Sequence, residues 1–110
     1  METPLKAKQA AQLCADLLDS YTDEDTVTWY WRPGGMTLPF KINTPQKRTL
    51  GFVIRLERGG EVYVASDYYG MLDTGNAVCL KKCVENALTD LFYREEKRGY
   101  PNINENNLLT

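Results

Sequence analysis

Length, composition and charge indicate one small globular domain and exclude several kinds of active site. The chain has 110 residues, 43% of them hydrophobic and 11% aromatic, which is enough apolar surface for a core without metals or disulfides. The formal net charge of −2 is too small to indicate a strongly charged partner. The sequence contains no histidine, so Ser/His and Cys/His nucleophilic sites are excluded, and we expect neither a metal nor another cofactor.

The first predicted element is an amphipathic helix between Pro4 and Ser20. Its apolar residues follow three-and-four spacing, at Leu5, Ala10, Leu13, Cys14, Leu17 and Leu18. Thr3 before Pro4 is typical of an N-cap followed by the first helical residue. The chain begins with no secretory pattern and contains no run of ~18 apolar residues, so we expect a cytoplasmic protein without a membrane span.

Two strands are predicted after this helix. Residues 26–32 alternate large apolar residues with polar ones and are rich in β-branched and aromatic side chains. A turn at Pro33-Gly34-Gly35 leads to a second alternating segment over residues 36–42. Pro39 has no N–H to donate within a sheet and fits only an edge strand or a bulge. The sequence therefore leaves two structures open for residues 36–42, a strand or a loop.

The clearest pattern is a hairpin on either side of Arg58-Gly59-Gly60. A three-residue turn pairs Leu56 with Val62 and Ile54 with Val64, whereas a two-residue turn would put the valines on the opposite face. The three-residue turn is therefore predicted, because it keeps the aliphatic side chains together.

A second helix is predicted from about Asp73, with Asp73 or Thr74 as its N-cap. Its expected apolar stripe consists of Val78, Leu80, Cys83, Val84, Ala87, Leu88, Leu91 and Phe92. The charged residues between them, Glu95 included, are expected to face water.

The end of the chain completes the predicted architecture. Gly99 and Pro101 predict the end of the second helix, and the polar, asparagine-rich residues 100–110 predict a flexible tail. Residues 1–99 are expected to form a single domain. The order α-β-β-β-β-α predicts an α+β two-layer sandwich, in which both helices lie on one face of a three- or four-stranded antiparallel sheet.

The other face of this sheet is the candidate binding surface. It is expected to carry Tyr30, Arg32, Val53, Arg55, Tyr63 and Ala65. Because tyrosine, tryptophan and arginine are enriched at interface hot spots, we expect a partner protein to contact a set of seven residues. These are Tyr30, Trp31, Arg32, Lys47, Arg48, Arg55 and Tyr63. Alternation alone also explains Trp29 and Trp31 as core residues, and both interpretations stay open.

Two other partners stay open for the same residues. Single-stranded nucleic acid is the alternative partner, because Trp31 and Arg32 with Lys47 and Arg48 combine stacking and cationic side chains. No RRM, KH, zinc-finger or helix-turn-helix motif accompanies them. A second copy of the chain is the other alternative, since a homodimer would also cover an aromatic sheet face.

The three cysteines, Cys14, Cys79 and Cys83, are predicted to be free thiols. Cys79 and Cys83 lie one helical turn apart, but two thiols are fewer than the four ligands of a closed zinc site. We therefore expect both to be small buried residues of the core.

These observations favour a small protein-binding regulator or inhibitor that acts by covering a surface of its partner, without catalysis. The short format without a targeting segment is similar to that of small accessory proteins of bacteria and their phages. This likeness concerns format alone, because no motif in the sequence identifies a family.

Overall fold

The chain forms one antiparallel sheet flanked by an N-terminal and a C-terminal helix. The computed structural model describes the backbone of residues 4–24 and 28–109, and the side chains of residues 7–24 and 28–98. The helices are α1 (Pro4–Leu18) and α2 (Leu80–Leu109), and the strands are β1 (Tyr30–Arg32), β2 (Gly35–Asn43), β3 (Thr49–Glu57), β4 (Glu61–Ser66) and β5 (Gly70–Asn76). Short 3-10 helices follow α1 at Asp19–Tyr21 and precede α2 at Ala77–Cys79. The predicted α+β sandwich is confirmed, with five strands instead of three or four.

The core lies between the two helices and one face of the sheet. Its largest fully buried side chains are Phe52, Leu18, Leu38, Ile42, Ile54, Leu91, Val62, Val64, Val84 and Cys14. They come from α1, α2, β2, β3 and β4, so both helices pack on the same sheet face. The opposite face, which carries the alternate residues of each strand, is left without a helix in the described part of the chain.

The β3–β4 hairpin has the predicted register. Leu56 pairs with Val62 and Ile54 pairs with Val64. The backbone N–H of Gly60 donates to the carbonyl oxygen of Glu57 at 2.9 Å, and Gly60 has a φ of +98°. A glycine in this left-handed conformation is what a three-residue hairpin turn requires, and the two-residue alternative is thereby excluded.

The first hairpin is partly as predicted. Residues 36–42 are indeed a strand, whereas β1 is shorter than the predicted 26–32: residues 28 and 29 are not in the sheet, and 26–27 lie outside the described residues. β1 pairs with β2 only as far as Thr37, so Pro39 lies beyond the end of β1. Pro39 therefore occupies an edge position, where a missing N–H leaves no ladder bond unmade.

The fifth strand was missed because its sequence is typical of a helix start. Asp73 and Thr74, predicted to cap the second helix, instead pair with Val64 and Tyr63 of β4. The sheet pairing outweighs the local capping preference, since without β5 the polar groups along one side of β4 would lack partners. Asn76 is the residue that caps the helical segment, because its Oδ1 accepts a hydrogen bond from the N–H of Val78 at 3.0 Å.

The backbone of α2 is helical through Leu109, so the prediction that Gly99 and Pro101 end this helix was wrong. Their penalties, about 1 and 3 kcal/mol relative to alanine, are local and do not by themselves fix the end of a helix that has already nucleated. The flexibility of residues 100–110 stays a prediction, because their side chains are not among the described ones. The predicted N-cap residue, Thr3, also lies outside the described residues. In the part of the chain that the structure describes, neither helix combines the length and the apolar content needed to cross a bilayer.

Candidate partner-binding surface

The β1–β2 hairpin holds three candidate residues at the edge of the sheet. Its turn consists of Pro33 and Gly34, and the φ of +94° at Gly34 suits the third position of a type II turn. Gly35 follows where the backbones of β2 and β3 approach closely, since a Cβ on Gly35 would lie 2.2 Å from the carbonyl oxygen of Leu56. Glycine at this position therefore lets the hairpin dock tightly against β3.

Four side chains form a row across the sheet face opposite the helices. Tyr30 pairs with Thr37, Thr37 with Arg55, and Arg55 with Tyr63. We call this face the outer face and define it by the residues Tyr30, Arg32, Val53, Arg55, Tyr63 and Ala65. The guanidinium of Arg32 lies 5.0 Å from the ring centroid of Tyr30, and both side chains are exposed. The face membership predicted from alternation is confirmed.

Arg55 is already engaged by the hairpin that it faces. Its guanidinium donates to the hydroxyl of Thr37 at 3.1 Å and to the carbonyl oxygen of Pro33 at 3.0 Å, and it also pairs with the carboxylate of Glu57. These contacts tie the tip of the first hairpin to β3. Arg55 thus serves the geometry of the surface, and Tyr30 and Arg32 are the more exposed groups beside it.

Trp31 points to the helix side of the sheet but lies at its margin. It pairs with Met36, which is buried, yet 46% of the surface of Trp31 is exposed. The rings of Trp29 and Trp31 meet edge to face with centroids 5.9 Å apart, and Trp29 is half-buried against the core. Alternation predicts the same environment for both tryptophans, but they differ. Trp29 packs against the core, whereas Trp31 is accessible to solvent.

An apolar pocket of about 260 Å³ opens beside Trp31. The N-terminal half of α1, the β3–β4 turn and the segment entering α2 surround it. Its apolar lining includes Ala7, Ala10, Trp31, Met36, Leu56 and Leu80. Val78 stands at its margin and is 90% exposed, so the prediction that Val78 belongs to the buried stripe of the second helix was wrong. The cause is that Val78 lies in the 3-10 segment, before α2 begins.

Lys47 and Arg48 lie at the far end of the sheet from Trp31. They follow β2, whereas Trp31 and Arg32 pair with its first residues, so the nine residues of β2 separate them by roughly 25 Å at ~3.3 Å per residue. Lys47 is exposed and has a φ of 69°, a left-handed conformation that favours glycine. The seven predicted contact residues are therefore divided between two ends of the sheet.

Arg48 pairs with the buried carboxylate of Glu95, which was predicted to face water. Glu95 is only 2% exposed and accepts hydrogen bonds from Arg48 Nε at 3.0 Å and from Arg48 Nη2 at 2.9 Å. The hydroxyl of Thr44 donates to Glu95 at 3.3 Å, and the hydroxyl of Tyr69 also donates to it. We call Thr44, Arg48, Tyr69 and Glu95 the Glu95 cluster; it joins the β2–β3 loop, the β4–β5 turn and α2.

The cluster sets the charge state of its members. Arg48, chiefly through its hydrogen bonds, holds the pKa of Glu95 below its ordinary value, whereas burial and the hydrogen bond to Glu95 raise the pKa of Tyr69. The expectation that Glu95 faces water was wrong, although a signal was present. Glu95 follows Leu91 and Ala87 at four-residue intervals and so continues the buried stripe of α2.

A cationic and aromatic surface adjoins this cluster and was also missed. The ring centroid of Tyr68, which is exposed, lies 4.6 Å from the guanidinium of Arg48 and 5.2 Å from that of Arg98. Arg98 Nε donates to the hydroxyl of Tyr68 at 3.2 Å, and this bond is the main cause that lowers the pKa of Tyr68. Tyr68 and Arg98 are 30 residues apart, so only the fold brings them together.

The cysteines differ in environment. Cys14 and Cys83 are buried in the core, and burial is the main cause that raises the pKa of each thiol to about 12. The expectation that Cys83 is a small core residue is confirmed, but the same expectation for Cys79 was wrong, because Cys79 is exposed. Cys79 lies in the 3-10 segment before α2, where the helical spacing used to place it does not apply.

The surface therefore has two parts, an aromatic hairpin with an apolar pocket at one end of the sheet and a cationic, tyrosine-bearing region at the other. Comparisons of this chain with protein-family models, with curated proteins and with solved structures give no match.

Proposed function

We propose that this protein is a small regulator or inhibitor that binds another protein and acts by covering part of its surface. One observation carries the proposal: β1 is exposed along its whole length and displays Tyr30, Trp31 and Arg32 on a hairpin fixed to the sheet. These are the three residue types most enriched at interface hot spots. A hairpin already held in place loses little conformational entropy on binding, which favours affinity.

The proposed contact region combines the outer face with the hairpin tip. Tyr30 and Arg32 supply an exposed aromatic and cationic pair, and Tyr63 continues the row on β4. Arg55 supports the region from within through its bonds to Thr37 and to the turn. We expect Tyr30, Arg32 and Tyr63 to contribute direct contacts and Arg55 to contribute mainly by positioning.

The proposal predicts that the double variant Tyr30→Ser/Arg32→Glu loses its partner. Tagged wild-type and variant proteins are incubated with nuclease-treated lysate of the native host, and captured proteins are quantified by mass spectrometry. Loss of two hot-spot contacts is expected to reduce capture of a stoichiometric partner roughly tenfold or more. Both side chains are exposed, so their replacement is expected to leave the core intact. Circular dichroism of the variant checks that the fold is unchanged.

A matched control comes from the other end of the molecule. Tyr93 and Lys97 on α2 form a similar exposed pair, with the Lys97 ammonium 5.6 Å from the Tyr93 ring centroid. Tyr93→Ser/Lys97→Glu is expected to capture the partner as the wild type does. Equal capture by both double variants would contradict the assignment of the hairpin as the contact region. If the free wild-type protein sediments as a dimer and Tyr30→Ser/Arg32→Glu sediments as a monomer, the hairpin serves self-association instead.

Single-stranded nucleic-acid binding is the second candidate, and the region around Tyr68 favours it. There Arg48 and Arg98 flank an aromatic ring beside the exposed Lys47, which is the combination of stacking and charge that sequence-tolerant strand binding uses. This function predicts that the affinity for a fluorescent oligothymidylate falls steeply as salt rises and is lost in Arg98→Glu. Affinity that does not change with salt would count against it.

We also propose that the protein acts in the cytoplasm. The exposed thiol of Cys79 and the buried thiols of Cys14 and Cys83 are unpaired, which fits a reducing compartment.

A further inference from the structure

The pocket beside Trp31 has a size and lining that restrict what it can hold. At about 260 Å³ it is smaller than the ~300–1,000 Å³ of typical small-molecule sites. Its polar side chains are Glu57 and Arg58, both from the β3–β4 turn region, and the rest of the lining is apolar. A group that enters it therefore presents an apolar side chain inward and keeps its polar atoms outside.

The charge at the rim of the pocket is positive on balance. The carboxylate of Glu57 is paired with Arg55, so its charge is already compensated. The guanidinium of Arg58 lies 5.6 Å from the ring centroid of Trp31, and no carboxylate of the described residues lies within salt-bridge distance of it. Arg58 is exposed and remains available to an anionic group of a ligand.

We infer that this pocket binds a peptide segment of the partner protein in which a large apolar side chain is flanked by aspartate or glutamate. The apolar side chain fills the space between Trp31, Met36 and Leu80, while a flanking carboxylate reaches Arg58. The inference rests on the proposed protein-binding function and adds to it the chemistry of the segment that is recognised. Trp31 and Arg58 are of the residue types that dominate interface energetics, and they line the same opening.

The test uses three blocked peptides and the full-length protein labelled with ¹⁵N. The peptides are acetyl-GDFDG-amide, acetyl-GKFKG-amide and acetyl-GDADG-amide, which separate the contributions of the apolar side chain and of the charge. We expect the first to bind at millimolar concentration, with amide shifts confined to residues that line the pocket. The affinities of the lysine and alanine peptides are expected to be lower by a factor of about ten or more, because each peptide lacks one of the two contacts.

Variants of the pocket margin make the test specific. Arg58→Glu is expected to reverse the preference, so that the lysine peptide binds more tightly than the aspartate peptide. Val78→Asp puts a charge beside the apolar opening and is expected to abolish binding, and it leaves the core intact since Val78 is 90% exposed. Met71→Asp, on β5 at a position that is 52% exposed and outside the pocket lining, is the control and is expected to bind normally.

Three results would overturn the inference. The first is equal affinity for all three peptides, and the second is amide shifts centred outside the pocket. The third is a wild-type protein that sediments as a dimer and a Val78→Asp variant that sediments as a monomer, which would make a second copy of the chain the occupant of the pocket. Repeating the lysate capture with Val78→Asp separates this inference from the proposed function. Full capture by Val78→Asp, with loss of capture by Tyr30→Ser/Arg32→Glu, would reject the pocket and leave the protein-binding function standing.

Discussion

Replacing Glu95 with alanine is expected to lower the free energy of unfolding by about 3 kcal/mol. The substitution removes the acceptor of Arg48, Thr44 and Tyr69 together, and it leaves the buried Thr44 hydroxyl and the half-buried Arg48 and Tyr69 donors without this partner. The estimate lies at the low end of the range for breaking a buried pair, because 30% of the Arg48 side chain is still exposed. Urea unfolding followed by tryptophan fluorescence measures the loss.

The neighbouring carboxylate provides the control for this prediction. Glu96 is exposed and adjacent in sequence, so Glu96→Ala changes the net charge by the same amount without disturbing the cluster. Its stability is expected to stay close to that of the wild type. A similar loss in both variants would mean that net charge, not the Glu95 cluster, controls stability.

The same cluster predicts a particular dependence of stability on pH. The pKa of Glu95 is lowered in the folded protein from its ordinary 4.5, so its stabilising contribution is complete above that value and is lost as the pH falls through the lower folded pKa. Glu95→Gln keeps the side-chain shape but cannot titrate. The stability difference between wild type and Glu95→Gln is therefore expected to be constant above about pH 5 and to shrink below it.

Replacing Gly35 with alanine is expected to lower the free energy of unfolding by about 3 kcal/mol as well, through a steric cause. The added Cβ would lie 2.2 Å from the carbonyl oxygen of Leu56 and 2.9 Å from the Cα of Glu57, both backbone atoms that cannot rotate away. The β2 and β3 backbones must then separate beside the turn of the first hairpin. Because that hairpin carries Tyr30 and Arg32, partner capture is expected to fall together with stability.

Gly60 is the control that separates crowding from backbone conformation. A Cβ at Gly60 meets no atom within 4 Å, but the φ of +98° is unfavourable for alanine. Gly60→Ala is therefore expected to lower the free energy of unfolding by about 1 kcal/mol. If Gly35→Ala were as stable as Gly60→Ala in urea unfolding, the close approach of the two strands would not be a constraint on this surface.

Local patterns in the sequence were sufficient for most of the sheet. Alternation of apolar residues fixed the faces of β3 and β4, and parity across the Arg58-Gly59-Gly60 turn gave the register that pairs Leu56 with Val62. The same alternation put Tyr30 and Arg55 on one face. These predictions succeeded because the signal and the structure both depend on residues close together in the chain.

The features that were missed depend on contacts between distant residues. β5 has few apolar residues and forms because β4 offers it an edge, which no local pattern records. Spacing places Glu95 on the buried stripe of α2, but it does not show that the carboxylate finds its partner in Arg48, which lies 47 residues earlier in the chain. The pocket beside Trp31 likewise exists only where α1, the β3–β4 turn and the start of α2 converge.

Pro39 limits the ways in which a partner can approach this molecule. Beyond the short strand β1, no strand of the described residues pairs with this margin of β2, and addition of a partner's strand would occur there. Pro39 offers that strand no N–H, and the next residue with the same orientation is the exposed Lys41, a combination that natural proteins use to discourage strand addition. Under the proposed protein-binding function, recognition is then left to side chains, so a helix, a loop or an extended peptide could each satisfy it, and partners with unrelated backbone folds could compete for one hairpin.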